Sequence, residues 1–211
     1  DMVTALKDLS KVGKINIDND VTKSKVNIIA CFDSVYPNAP TTYYDFKSPR
    51  VWNVNDVREN DIRTFLRPRD RNDKTDDISE EFNSGKGIRN FVHWAIRQQK
   101  FLADEYMLIL SGHGDAFRGK TLMYDEKPPG GLSLQKLRDV VDDAVDLLPD
   151  RKNFAILGFD NCAMNLVEVG YEFRNAAELL ISSEGFIPQS GWNYETPLTY
   201  LVNKCKENTS T

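Results

Sequence analysis

The chain has 211 residues, 40% of them hydrophobic and 28% charged, with a formal net charge of −5. That length suits one good-sized α/β domain, and the acidic balance argues against nucleic acid as the main partner. No run approaches the length of a transmembrane helix, and no basic-then-apolar signal opens the chain, so no membrane partner is expected. The first residues read as mid-domain sequence, which leaves the compartment unknown from the residues alone. The three cysteines share no metal-type spacing, so neither a metal site nor a disulfide framework is expected. Cys31, inside an apolar run, reads as a buried core thiol.

In chain order, Val3 to Val12 reads as a short amphipathic helix, with Leu6 and Leu9 on one face and Gly13 as its stop. Lys25 to Asp33 follows as a buried strand. Ser34 to Asp77 is the least regular part. Within it Thr41 to Phe46 reads as a hairpin arm with Val51 to Val57 as its partner, and Arg63 to Asp77 as a solvated charged loop. Ser84 to Lys100 is a helix whose core face carries Ile88, Phe91, Val92, Ala95 and Ile96, with His93 off that stripe and facing solvent.

Glu105 to Leu110 is a buried strand that ends in Ser111-Gly112-His113-Gly114. Asp115 to Gly131, broken by Pro128, Pro129, Gly130 and Gly131, reads as an exposed loop. Ser133 caps a helix that bears Leu134, Leu137, Val140, Val141, Ala144, Val145 and Leu148, and Pro149 ends it. Phe154 to Phe159 is a second buried strand that stops on Asp160-Asn161-Cys162. Ala163 to Arg174 reads as the helix after it, and Leu179-Leu180-Ile181 is a further apolar run. The alternation of strand and helix indicates a parallel sheet with helices on both faces.

Two hydrophobic strands therefore deliver a His and a Cys to the carboxyl edge of one sheet, where open α/β sheets bind ligands. A thiol needs a nearby imidazole to become a good nucleophile. A helix beginning just after Cys162 would add a dipole that favours the thiolate. Each residue also has a bland reading. A lone Cys is usually a small buried hydrophobe, a lone His in a loop is more often structural, and Asp160 fits a cap for the following helix as well as a buried anion aimed at a cationic substrate group.

The strand ending in His113-Gly114 and the strand ending in Asp160-Asn161-Cys162, with Ser182-Ser183-Glu184 and Gly191-Trp192 downstream, resemble the clostripain family of cysteine peptidases. That family belongs with the caspases, legumain and gingipains. The resemblance implies a caspase-like three-layer α/β/α sandwich with a mostly parallel central sheet. It also implies that residues 1–211 form one peptidase domain, without the family's usual first strand. His113 would be general base and acid, and Cys162 the nucleophile. The Gly114 and Cys162 backbone N–H groups would form the oxyanion hole. Asp160 would select Arg or Lys at P1, and Ser183, Glu184, Ser190 and Trp192 would lie with the substrate.

By the same resemblance the partner is a peptide or protein substrate, and a secreted or cell-envelope location is favoured. No cofactor is required. Calcium enters only because some members depend on it, and no ligand pattern in the chain demands it. Activating cleavage is expected in the Asp115–Gly131 segment, after Arg118 or Lys120. The chain departs from the family where Ser190 stands in place of an acid and Gly185 in place of a second acid. Two other classes share these residues: a non-hydrolytic peptide-binding relative, and a thiol acyltransferase or transpeptidase.

Overall fold

A computed structural model describes residues 2–17, 26–33, 42–46, 85–98, 101–114, 122–126 and 129–207. They fall into two compact units. The first holds helix α1 (Met2–Ile17), strands β1 (Ile29–Phe32) and β2 (Thr42–Asp45), and the C-terminal helix α5 (Glu195–Glu207). The second holds everything from helix α2 (Lys86–His93) to strand β7 (Ala177–Ile181).

The centre of the second unit is a parallel sheet of β3 (Met107–Ser111), β6 (Phe154–Asp160) and β7, with β6 in the middle. Both apolar runs that end in candidate catalytic residues are thus neighbouring strands. Side chains alternate across a strand. Leu108, Leu110, Leu157 and Phe159 turn to one face and are buried there with the apolar stripes of three helices. These are α2, α3 (Leu134–Val145) and α4 (Val167–Glu172). The Phe159 and Phe173 rings meet at 5.1 Å. Emptying such a site, as in Phe159→Ala, costs about 3–5 kcal/mol. On the opposite face Met107, Leu179 and Ile181 are 42%, 61% and 45% exposed.

Two expected helices have clear local causes. Ser133 accepts a hydrogen bond from the Lys136 N–H at 3.2 Å and caps α3, as its position just before the apolar stripe requires. Helix α2 continues as a wider turn over Trp94–Gln98, and Ile88, Val92, Ala95 and Ile96 are buried while His93 is exposed. Gly85 precedes α2 with φ +78°, and a Cβ there would fall 2.2 Å from a Val140 methyl. Glycine permits both the left-handed backbone and the close packing of α2 on α3.

Three expectations need correction. Helix α1 runs through Gly13 and does not stop there, because Gly13 is a contact point: a Cβ would lie 2.7 Å from the Phe46 carbonyl oxygen. Strand β1 is half-buried and pairs antiparallel with β2, Cys31 opposite Tyr43. The hairpin arm, β2, is therefore the partner of β1, and the expected arm Val51–Val57 lies outside the described residues, as does the Arg63–Asp77 loop. The Asp115–Gly131 segment is not all loop. Strands β4 (Leu122–Glu126) and β5 (Pro129–Leu132) form an antiparallel pair within it.

The first unit has its own core of Leu6, Val12, Ile28, Tyr44, Phe46 and Val202. Lys206 Nζ donates to the Ile15 carbonyl at 2.8 Å, supplying one of the partners that a helix C-terminus lacks. Cys31 is half-buried, and burial, reinforced by the nearby Asp33 charge, holds its thiol well above the usual range. Among the described residues no disulfide forms, and no helix is long and apolar enough to cross a membrane.

Candidate active site

The register of β3 on β6 sets the site. Ser111 lies opposite Asp160 in the last pair of the ladder. The residues that follow, Gly112-His113 and Asn161-Cys162, therefore leave the sheet side by side at its carboxyl edge. The ladder extends one step further, since the Gly112 N–H donates to the Asp160 carbonyl at 3.3 Å. Beyond it the Asn161 Nδ2 donates to the His113 carbonyl at 3.2 Å. Gly114 then lies directly on the Cys162 turn. A Cβ there would meet Asn161 Cβ and the Cys162 carbonyl oxygen at 2.6 Å each, and Cys162 N at 3.2 Å. Only glycine lets two backbones approach this closely. The His113-Gly114 and Asn161-Cys162 segments are thus held together, with the His113 side chain exposed and Cys162 half-buried.

The turn at Cys162 is not the start of a helix. Helix α4 begins only at Val167, with Leu166 as its cap residue and no side-chain capping bond. The expected Ala163–Arg174 helix is shorter for a visible reason. Ala163 takes a left-handed backbone, φ +52°, a conformation that costs a non-glycine residue about 1–3 kcal/mol. The N–H groups that a helix would have used go elsewhere. Ala163 N–H donates to the Gly185 carbonyl at 2.9 Å, and Met164 and Asn165 N–H both donate to the Ser183 carbonyl at 2.9 and 3.0 Å. Buried Met164 anchors the turn from below. The helix dipole at Cys162 therefore drops out. In its place one amide, the Ile187 N–H, donates to Cys162 Sγ at 3.4 Å.

Asp160 is likewise no helix cap. It ends β6, is 1% exposed, and its Oδ2 accepts from the Ser111 hydroxyl at 3.2 Å. Ser183 belongs to the loop that wraps Cys162, and its Oγ accepts from the Gly185 N–H at 3.3 Å. Glu184, next in that loop, is exposed. Ser190 and Trp192 belong to the first unit, where Ser190 is exposed and Trp192 lies against Tyr194 with ring centroids 6.4 Å apart. The structure brings His113, Gly114, Asp160, Cys162, Ser183 and Glu184 into one unit.

Three contributors escaped the sequence reading. Ser111 was visible as a polar residue closing an apolar strand, and the strand register makes it the partner of Asp160. Asn161, beside Cys162, has no sequence signal that sets it apart from any polar residue closing a strand. Ile187 acts through its backbone and leaves no sequence signal. Among the described residues no grouping of three or more His, Cys, Asp and Glu could hold a metal ion.

The sequence pattern of the clostripain family matches residues 4–210. Three solved structures resemble the chain. One is an inactive zymogen C11 protease from Parabacteroides distasonis, 18% identical, with a TM-score of 0.56 over 93% of this chain and 49% of its own. The secreted C11 cysteine protease "iotapain" from Bacteroides thetaiotaomicron is 15% identical, with a TM-score of 0.52 over 96% of this chain and 54% of its own. A secreted C11 cysteine protease from the same organism, solved with an irreversible peptide inhibitor, is 25% identical over 59% of this chain and 36% of its own, with a TM-score of 0.43. The chain spans about half or less of the length of these relatives. The first two share its caspase-like fold of helices and strands around a parallel central sheet. No curated protein matches the chain.

Proposed function

Because the chain belongs to the clostripain family of cysteine peptidases, we propose that it hydrolyses peptide bonds through His113 and Cys162, after Arg or Lys at P1. The observation that carries this reading is the close approach of Gly114 to Asn161-Cys162. It brings the segments bearing a base and a nucleophile together at the edge of the sheet.

Cys162 attacks the scissile carbonyl, and the C–N bond breaks as the His113 imidazolium protonates the departing amine. His113 then takes a proton from water, which cleaves the thioester and frees the thiol. The Gly114 and Cys162 N–H groups receive the oxyanion, each donor worth about 3 kcal/mol of barrier. Asp160 selects the basic P1 side chain. Its place in β6, two residues before the nucleophile and not on a helix cap, supports this role. An Arg would bind bidentately and a Lys as a point charge.

Ser183 and Glu184, in the loop that wraps Cys162, lie beside the substrate. Ser190 and Trp192 complete the substrate-binding set by family membership. Cleavage after Arg118 or Lys120 would open the connection between the catalytic strands; both lie outside the described residues. A secreted or cell-envelope setting belongs to the same reading, since solved relatives include secreted proteases.

The test is hydrolysis of fluorogenic Arg and Lys peptides by the chain and by Cys162→Ala and His113→Ala. The expected result is activity lost in both variants with folding intact. Hydrolysis that survives Cys162→Ala would overturn the reading. Product analysis with added amines separates hydrolysis from acyl transfer.

A further inference from the structure

We infer that Asn161 is a positioning residue that holds the His113 segment in register with Cys162. The inference rests on the peptidase reading and extends it to a residue outside the dyad. Asn161 is 2% exposed, so its amide is cut off from solvent. Among the described residues that amide makes one hydrogen bond, from Nδ2 to the His113 carbonyl at 3.2 Å, while Oδ1 is buried without a partner. The side chain's hydrogen bonding is thus directed entirely to the residue that bears the base. The bond stands where the β3–β6 ladder runs out, one residue past the Gly112 N–H to Asp160 carbonyl link. Asn161 Cβ also forms the surface against which Gly114 rests. A donor is required at this point, because the His113 carbonyl faces it. An apolar side chain leaves that carbonyl without its partner, and a carboxylate repels it.

The role acts through His113, which makes it separable from simple packing. Asn161→Ala is expected to lower kcat by about tenfold to a hundredfold, the scale of a misplacement near 1 Å, with KM little changed. In a His113→Ala background, where hydrolysis is already lost, the same substitution is expected to have no further effect on the rate of Cys162 alkylation, since a residue acting through another loses its effect when that other is gone. Asn161→Asp gives a second, isosteric readout. The neutral carboxyl donates an O–H to the His113 carbonyl and the carboxylate cannot, so activity relative to the unsubstituted chain should recover as pH falls.

Alkylation of Cys162 by iodoacetamide, followed by peptide mapping, runs the same cycle without a peptide substrate. A chain that is alkylated at Cys162 but cleaves no peptide sinks the peptidase reading, and the alkylation cycle then decides this inference by itself. Unchanged kcat and alkylation in Asn161→Ala, or an equal loss with and without His113, overturns the positioning role. Should Asn161→Ala fail to fold, a flat relative pH profile in Asn161→Asp overturns it.

Discussion

Gly114→Ala is the sharpest structural perturbation of the site. The added Cβ would sit 2.6 Å from both Asn161 Cβ and the Cys162 carbonyl oxygen, where ordinary contact begins at 3.4 Å. Neither neighbour is the far end of a flexible side chain. The two segments must therefore part by about 0.8 Å, the difference between those distances. A displacement near 1 Å between reacting groups costs about a hundredfold in rate, so kcat/KM should fall by about tenfold to a hundredfold. Stability should fall by a comparable free energy, about 1–3 kcal/mol for local overpacking, partly offset by about 0.4–1 kcal/mol from a stiffer unfolded chain. The assay pairs steady-state kinetics on an Arg peptide with thermal unfolding. Gly170→Ala is the control, because nothing lies within 4 Å of its added methyl; its activity should stay unchanged. Full activity in Gly114→Ala would show that the two segments need not touch for catalysis, and the geometric argument would fail.

Other expectations follow from single residues. Gly85→Ala should destabilise the chain by about 2–6 kcal/mol in urea unfolding, the sum of about 1–3 kcal/mol for a left-handed backbone and a similar cost for the Val140 clash. An effect under half of that would mean α2 moves freely on α3. Asp160→Asn should lower kcat/KM for Arg and Lys substrates by at least about thirtyfold, the low end for removing a buried charge partner, and spare neutral P1 substrates; equal losses for both would make Asp160 purely structural. The raised Cys31 thiol, set by burial and then by Asp33, carries a pH signature. The folded chain keeps that proton when the unfolded chain releases it, so stability is present below the ordinary thiol value of 9.0 and declines as pH rises beyond it. Cys31→Ala should flatten that decline in unfolding measured across the alkaline range, and an unchanged slope would assign it to another group.

The parts of the fold readable from sequence are those with local causes. β3 and β6 announce themselves as apolar runs that stop on polar residues, and Ser133 announces α3 because a cap acts within three residues of itself. Gly114 was legible as a glycine beside a histidine, though its contact with Asn161 was not. What escaped depends on distant chain segments. Gly13 looks like a helix stop until Phe46 arrives against it. The Ala163–Arg174 stretch has helical composition, but the carbonyls of Ser183 and Gly185 claim its first N–H groups. No window around Cys162 contains those carbonyls. The same long-range capture explains why the helix-dipole argument for the thiolate failed while the placement of Cys162 at the sheet edge held. β1 and β2 tell a similar story, since pairing partners are chosen in space.

The central claim is that Cys162, served by His113, is the nucleophile of this chain. Covalent labelling tests it most directly. The chain would be treated with an arginyl chloromethyl ketone and mapped by mass spectrometry, beside its His113→Ala variant and a sample denatured beforehand. One adduct on Cys162, slowed strongly by His113→Ala and absent after denaturation, is the result expected here. Labelling spread over Cys31, Cys162 and Cys205, or a Cys162 adduct that forms at the same rate without His113, would contradict it.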